Sequence, residues 1–454
     1  MLTAAPGIES NAACYSDYVN PQWVRLLHLL DMNVSYAKCL GAELFTTDGR
    51  VILDFLSGYC VHNVGHNHRD IIAAVKSELD RCGPAMLQSH VPELAGELAR
   101  RLCALAGGKL SKAFFACSGS EGVESAIKFA RKATGRTALL YADGAFHGLT
   151  CGALSLMGDP FWRDKFGPML PSTEATPFND LQTLERKLAT RAFAAYFVEP
   201  LQAEAGVRVA SAGYLERAGE LCRRYGTLLV LDEVQTGMYR TGAFLAAHQF
   251  DVRPDMVVMA KALSGGLVPS SAVLMSNDVY DSVYDSLKRS IVHTSTFSEN
   301  ALSMRASLAT LDVLESERLG ERAAASGEYL RGRLRERLGG YSMVGEVRGM
   351  GLLNGIEFKA PAELKLRAPF EAFRAIHPGM FGQVVVMSLF RDHNILTQMC
   401  GNNFMVLKAA PPLIVTEQEL DRFVRAMAEV VERMHTSPAF WTEALSLARR
   451  VIKV

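Results

Sequence analysis

Two residues in this chain have the type and setting for covalent and proton chemistry, and a third position gathers small residues where an anion could sit. Lys261 stands in Val257-Val-Met-Ala-Lys-Ala-Leu-Ser-Gly-Gly266, after an apolar run and before a small-residue turn. Such surroundings strip water from the amine and lower its pKa from ~10.4, which makes it a nucleophile toward a carbonyl. A lysine after a strand is usually a solvated surface group, and this setting argues against that reading. Asp232 closes an apolar run in Leu228-Leu-Val-Leu-Asp-Glu-Val-Gln-Thr-Gly237. A carboxylate there can keep a heteroaromatic ring nitrogen protonated, so that the ring draws electrons from a carbon losing its proton. Taken alone, an aspartate at a strand end is more often a cap or a magnesium ligand. The third feature is Ala116-Cys-Ser-Gly-Ser-Glu-Gly122, which precedes a helix expected over 123–133. Backbone N–H groups at Gly119 and Ser120 can approach a phosphate there, and Ser120 adds a hydroxyl. Glu121 would repel that phosphate unless its side chain points away. Neither Gly-x-Gly-x-x-Gly nor Gly-x-x-x-x-Gly-Lys occurs, so dinucleotide and nucleoside-triphosphate sites lack their usual signature.

These groups need a scaffold that brings them together. Glu199, Asp232 and Lys261 each follow a short apolar run, at 194–198, 228–231 and 256–259. A continuously apolar run of four or five residues suits a strand covered on both faces. Helical stretches such as 214–225 separate them, which is the rhythm of a mostly parallel sheet. Ligands of such sheets lie beyond the carboxyl ends of the strands, where these three polar residues fall. Residues 20–80 read as helix, hairpin and helix, with the hairpin turning at Asp48-Gly49. Residues 300–338 are helix-prone and lead into a C-terminal α+β region beginning near Ser342. The expected division is an N-terminal segment of a small domain at 1–70, a large domain at 71–338 and the rest of the small domain at 339–454.

The 454 residues are 49% hydrophobic, and 48 basic side chains balance 48 acidic ones. No charge excess recruits nucleic acid or an anionic membrane. Nine cysteines between Cys14 and Cys400 include no Cys-x-x-Cys pair, which argues against a disulfide framework and a zinc knuckle. Residues 1–20 lack a basic segment followed by an apolar run, and no stretch reaches the ~18–20 apolar residues of a membrane span. A reducing cytoplasm is the expected compartment. His62, His66, His68 and His147 invite a metal, but no clustered carboxylate or thiolate accompanies them, and none is expected.

Taken in order, Ser118-Gly-Ser-Glu, Phe146-His-Gly, Val198-Glu-Pro-Leu-Gln-Ala-Glu204, Leu231-Asp-Glu-Val-Gln-Thr-Gly237 and Lys261-Ala-Leu-Ser-Gly-Gly266 form one pattern. The set resembles the class III aminotransferases, among them the ornithine, acetylornithine, 4-aminobutyrate and putrescine enzymes. Gly65-His-Asn-His, Ser295-Thr296 and Arg348-Gly-Met-Gly-Leu extend the likeness over about residues 40–420. The resemblance implies an α/β fold of fold type I, dependent on pyridoxal 5'-phosphate (PLP). It implies a mostly parallel large-domain sheet, a smaller α+β domain built from both chain ends, and a homodimer with shared active sites. By position, Lys261 would carry the cofactor as a Schiff base and shuttle protons, and Asp232 would partner the ring nitrogen. Gln235 would bond the ring hydroxyl, Phe146 and Val234 would flank the ring, and Gly119, Ser120 and the partner subunit's Thr296 would hold the phosphate. Tyr59 matches a substrate-pocket tyrosine of the ornithine enzyme. The histidines of Gly-His-x-His are structural in this pattern.

The chain departs from its relatives near Val406-Leu-Lys-Ala-Ala-Pro-Pro-Leu413. The amino-acid-specific members carry an arginine there, which forks onto a substrate carboxylate or turns to a glutamate matching Glu204. Lys408 is a point charge without that fork. Ser298 and Glu299 also replace the usual glycines. The expected reaction therefore moves an amino group between a terminal amine or ω-amino compound and a keto acid or aldehyde. An aminomutase, racemase or decarboxylase on the same scaffold is the alternative, because the cofactor performs the hard chemistry in each.

Overall fold

The computed structural model describes residues 11–87, 89–376 and 380–452. At its centre is a seven-stranded sheet in the order Lys112–Ala116, Ser271–Met275, Met256–Met259, Leu228–Asp232, Phe193–Val198, Ala138–Ala142 and Thr173–Thr176. Every neighbouring pair is parallel except the two made by Ser271–Met275, which runs against both its partners. The apolar runs at 193–198 and 256–259 are buried along their whole length, because helices cover both faces of the sheet.

The helix Gly119–Thr134 begins four residues earlier than its apolar periodicity suggests, since Ser118 caps it by accepting the Glu121 N–H at 3.2 Å. Its packing against the sheet depends on a missing side chain. A Cβ at Gly122 would lie 2.8 Å from Val258 and 2.9 Å from Ser271, inside contact distance. The helix-prone stretch 300–338 forms two helices, Ala301–Ser316 and Leu319–Leu338. Arg318, at φ +50, breaks the run, since a left-handed residue cannot continue a right-handed helix.

Both chain ends contribute to the smaller α+β unit. Tyr36–Leu40, Glu43–Thr46 and Val51–Asp54 form an antiparallel sheet whose last strand pairs in parallel with Ile395–Leu396. A second antiparallel sheet has the order Val344–Met350, Leu353–Phe358, Asn403–Ala409, Gln398–Cys400. Arg240 joins this unit to the large one. Its fully buried guanidinium donates to Asn63 Oδ1 and to the carbonyls of Leu352 and Pro411.

The Gly122 contact gives a paired expectation. Gly122→Ala should destabilise the protein by ~1–3 kcal/mol through overpacking. Gly332→Ala, in the exposed part of Leu319–Leu338 where a Cβ meets nothing within 4 Å, should stabilise it by ~1 kcal/mol. Denaturant unfolding of both variants measures the difference; equal effects would contradict the packing.

Candidate active site

Three adjacent strands end at one edge of the central sheet, and each carries a functional side chain at or just past its end. Phe193–Val198 leads to Glu199, Leu228–Asp232 ends on its aspartate, and Met256–Met259 leads through Ala260 to Lys261. Lys261 takes up a left-handed φ of +44 at the start of a short 3-10 turn. That conformation costs of order 1–3 kcal/mol in a non-glycine residue. Burial holds the Lys261 amine below the usual lysine range, although the Asp232 and Glu204 carboxylates pull the other way.

Asp232 is almost completely buried. Its Oδ1 accepts the Val234 N–H at 3.0 Å, and its Oδ2 lies 2.8 Å from His147 Nδ1. A carboxylate oxygen opposite Nδ1 suits a proton on that nitrogen, and His147 Nε2 is buried without a hydrogen-bond partner among the described residues. Glu199 accepts the Phe146 N–H at 3.0 Å. Burial, with the Asp232 charge nearby, pushes the Glu199 carboxyl well above the usual range.

Gly119, Ser120, Phe146, Val234 and Gln235 line one cavity of about 430 Å³ together with Asp232 and Lys261. Glu121 does not spoil the anion site at the helix start: its carboxylate turns back to accept the Cys117 N–H at 2.9 Å. Ser120 Oγ accepts the Leu149 N–H at 3.1 Å, and a Cβ on Gly148 would collide with that hydroxyl. The residues fit PLP on these grounds: a helix N-terminus free of competing charge, apolar Phe146 and Val234, and buried polar atoms still wanting partners. Those atoms include Gln235 Oε1 as well as His147 Nε2.

Behind Gln235 lies a buried ion pair. Gln235 Nε2 donates to Glu204 Oε1 at 3.1 Å, Gly401 N–H donates to Oε2 at 2.8 Å, and Lys408 Nζ closes on Oε1. Lys408 belongs to the strand Asn403–Ala409 and is completely buried, so it does not line a solvated loop. The Lys408 ammonium draws Glu204 down to about 2, and Glu204 in turn raises the amine. The Tyr59 ring stands 5.7 Å from Lys408 Nζ. It is carried on four successive left-handed residues, Ser57 to Cys60, a costly turn tied down by Ser57 Oγ donating to the Ala410 carbonyl at 2.7 Å.

Thr296 does not line this cavity. It is exposed and borders a separate cavity of about 1090 Å³ with Ser295 and Ser298. The motifs did not single out the pairing of His147 with Asp232, although His147 sits within Phe146-His147-Gly148. Ser270 also lines the cavity, after the 265–269 turn, where no sequence signal marks it. His62 stacks on His66 at 3.9 Å, and His66 bonds Asp54 at 2.7 Å. Among the described residues no three metal-ligating side chains cluster.

The Glu204–Lys408 pair sets an expectation for acid stability. Glu204 titrates near 2 when folded and near ~4.3 when unfolded. Its stabilisation is therefore complete above pH ~4.3 and is lost as pH falls toward 2. Glu204→Gln leaves a buried ammonium unpaired and should cost ~3–5 kcal/mol at neutral pH, with Glu204→Gln/Lys408→Met recovering much of it. Urea unfolding at pH 7 and pH 3 should show the gap between wild type and Glu204→Gln narrowing in acid. A gap independent of pH would exclude the ion pair.

The class-III aminotransferase family model matches residues 28–431. Aminotransferase PigE of Serratia sp. is 34% identical, over 96% of this chain and 55% of that protein. The chain thus spans about half the length of that relative. The putrescine aminotransferase of Pectobacterium atrosepticum is also 34% identical, over 93% of this chain and 88% of its own. Among solved structures, the Toxoplasma gondii ornithine aminotransferase superposes with a TM-score of 0.79 at 30% identity, covering 94% of this chain and 99% of that one. An (S)-enantioselective omega-transaminase from Thermomicrobium roseum gives 0.82 at 28% identity, covering 93% and 98%. With its central sheet, its lysine and its aspartate at the strand ends, and a family match over most of its length, this chain belongs to the class III aminotransferases.

Proposed function

We propose that the protein is a PLP-dependent aminotransferase that moves an amino group between a terminal amine or ω-amino compound and a keto acid or aldehyde. The observation that carries this reading is the meeting of Lys261, Asp232 and the Gly119–Ser120 helix start in one cavity. Relatives named for amino transfer favour transfer over an aminomutase, racemase or decarboxylase.

The bound cofactor supplies an aldehyde that captures amines and a ring that accepts electrons from the carbon losing its proton. Lys261 Nζ would hold it, and the same amine is placed to move the proton at the amine-bearing carbon of the substrate. The Asp232 carboxylate keeps the ring nitrogen protonated, and His147 orients that carboxylate through Nδ1–H. Phe146 and Val234 flank the ring and exclude water. Gln235 would bond the ring hydroxyl, while Gly119 and Ser120 would hold the phosphate through the helix N-terminus.

Substrate choice follows from Lys408. A carboxylate can reach this ammonium only by competing with Glu204, and a lysine offers it no bidentate geometry. That favours amines without a carboxylate beside the reacting carbon, with Tyr59, Glu204 and Lys408 forming the distal wall. The working unit is a homodimer in which Thr296 completes the phosphate site of the partner subunit. Exposed Met86, Leu87 and Ile291 beside Thr296 offer the apolar surface that a second copy would cover. The chain is divided at 70 and 338 into the small and large domains. The cytoplasm suits a protein whose nine cysteines are all free; no helix of the described residues is long and apolar enough to cross a membrane.

Lys261→Ala should abolish turnover, and borohydride treatment of the wild-type holoenzyme should fix the cofactor to the peptide containing Lys261. A label on any other lysine would refute the assignment. Lys408→Arg should lower KM for the keto acid by about tenfold, the size of one added charged hydrogen bond, with little change in KM for the amine. An equal change in both constants would remove Lys408 from carboxylate discrimination.

A further inference from the structure

The hairpin tip between Gln398–Cys400 and Asn403–Ala409 does more than turn the chain. It reaches the large domain beside two walls of the site. Asn402 N–H donates to the Glu204 carbonyl at 2.9 Å, and Gly401 N–H reaches the Glu204 carboxylate at 2.8 Å. The Asn402 side chain uses both ends. Its Nδ2 donates to the Gly144 carbonyl at 3.0 Å, two residues before Phe146, and its Oδ1 accepts Trp162 Nε1–H at 2.8 Å. The Trp162 ring meets Phe146 edge-on, with centroids 5.4 Å apart at 89°. Its outer edge lies over Gly401, where a Cβ would stand 3.6 Å from the indole.

We propose that Asn402 and Trp162 are positioning residues which lock the Phe146 wall and the Glu204–Lys408 pair into one geometry. An amide is suited to this place because it donates to the 144 carbonyl and accepts from the indole at once; an ionised aspartate could only accept, and leucine could do neither. An indole supplies both the N–H and a broad edge for Phe146, in the edge-to-face arrangement that aromatic rings prefer. Lys408, Gln235 and Gly401 hold the two oxygens of Glu204, and Asn402 holds its backbone carbonyl. The brace thereby keeps Glu204 on Lys408 when substrate enters.

The consequence for the cofactor rests on the reading that Phe146 flanks its ring, and the test separates the two. PLP is titrated into full-length protein stripped of cofactor, for Asn402→Ala, Trp162→Ala, their double variant, Trp162→Phe and Phe146→Ala. Each alanine single should raise the Kd about fivefold, near one hydrogen bond or aromatic contact. The double should be no worse than either single, because both act through one chain of contacts; independent losses would multiply to about 25-fold. Trp162→Phe keeps an aromatic edge and should recover most of the affinity. Hydrogen exchange of the 143–148 segment, read without cofactor, should accelerate in both alanine singles. Multiplying affinity losses, or exchange at 143–148 that is unchanged in both singles, would overturn the brace. Accelerated exchange with an unchanged Kd in Phe146→Ala would instead uphold the brace and remove Phe146 from cofactor stacking.

Discussion

Glu199, Asp232 and Lys261 at the carboxyl edge of the central sheet stand close to the buried pair Glu204–Lys408, and burial leaves this group little water to solvate it. An uncompensated ion in such a place costs several kcal/mol, and most of the local structure can be understood as the compensation. Asp232 receives a backbone N–H and an imidazole. Glu204 receives an ammonium, an amide and a backbone N–H. Glu199, given a single backbone N–H, resists ionisation instead. Burial holds Lys261 toward its neutral, nucleophilic form, and among the described residues no side chain closes on its amine. Different answers to one desolvation problem thus assign different chemical tendencies to neighbouring groups.

The two structural units divide this work. The parallel sheet fixes the groups nearest the reaction, since strand ends are rigid and open onto the same edge. The antiparallel sheet of the smaller unit supplies Lys408 and the Gly401–Asn402 tip from one continuous hairpin. The N-terminal sheet, closed by Ile395–Leu396, places the left-handed turn with Tyr59 against the same ammonium. Conformational strain at 57–60 and at Lys261 is retained where side chains must be aimed, which is where strain tends to collect.

An ammonium at position 408 acts differently from a guanidinium. An arginine can trade one carboxylate for another with two parallel hydrogen bonds on either side of the exchange. Lys408 is compact, enclosed and matched to a glutamate that three donors already hold. A carboxylate entering the site would meet an ammonium that this glutamate already neutralises.

Local patterning determined much of this protein. Apolar runs marked the central strands, and small residues marked the start of Gly119–Thr134. The ordered motifs identified the class and the lysine and aspartate that now stand on one cavity. The strand-end rule even foretold that residues 199, 232 and 261 would meet, because parallel strands share a direction. Contacts between distant segments had no such local signature. That His147 steadies Asp232 depends on the 143–148 loop folding over the neighbouring strand, and that Lys408 is sealed on Glu204 depends on a register between a C-terminal hairpin and the large domain. Trp162 and Asn402 are 240 residues apart, and nothing in either neighbourhood names the other. Periodicity and capping act over a few residues and are written in sequence order; charge compensation is settled by whichever groups the finished fold brings within hydrogen-bond reach, and only the tertiary structure decides that.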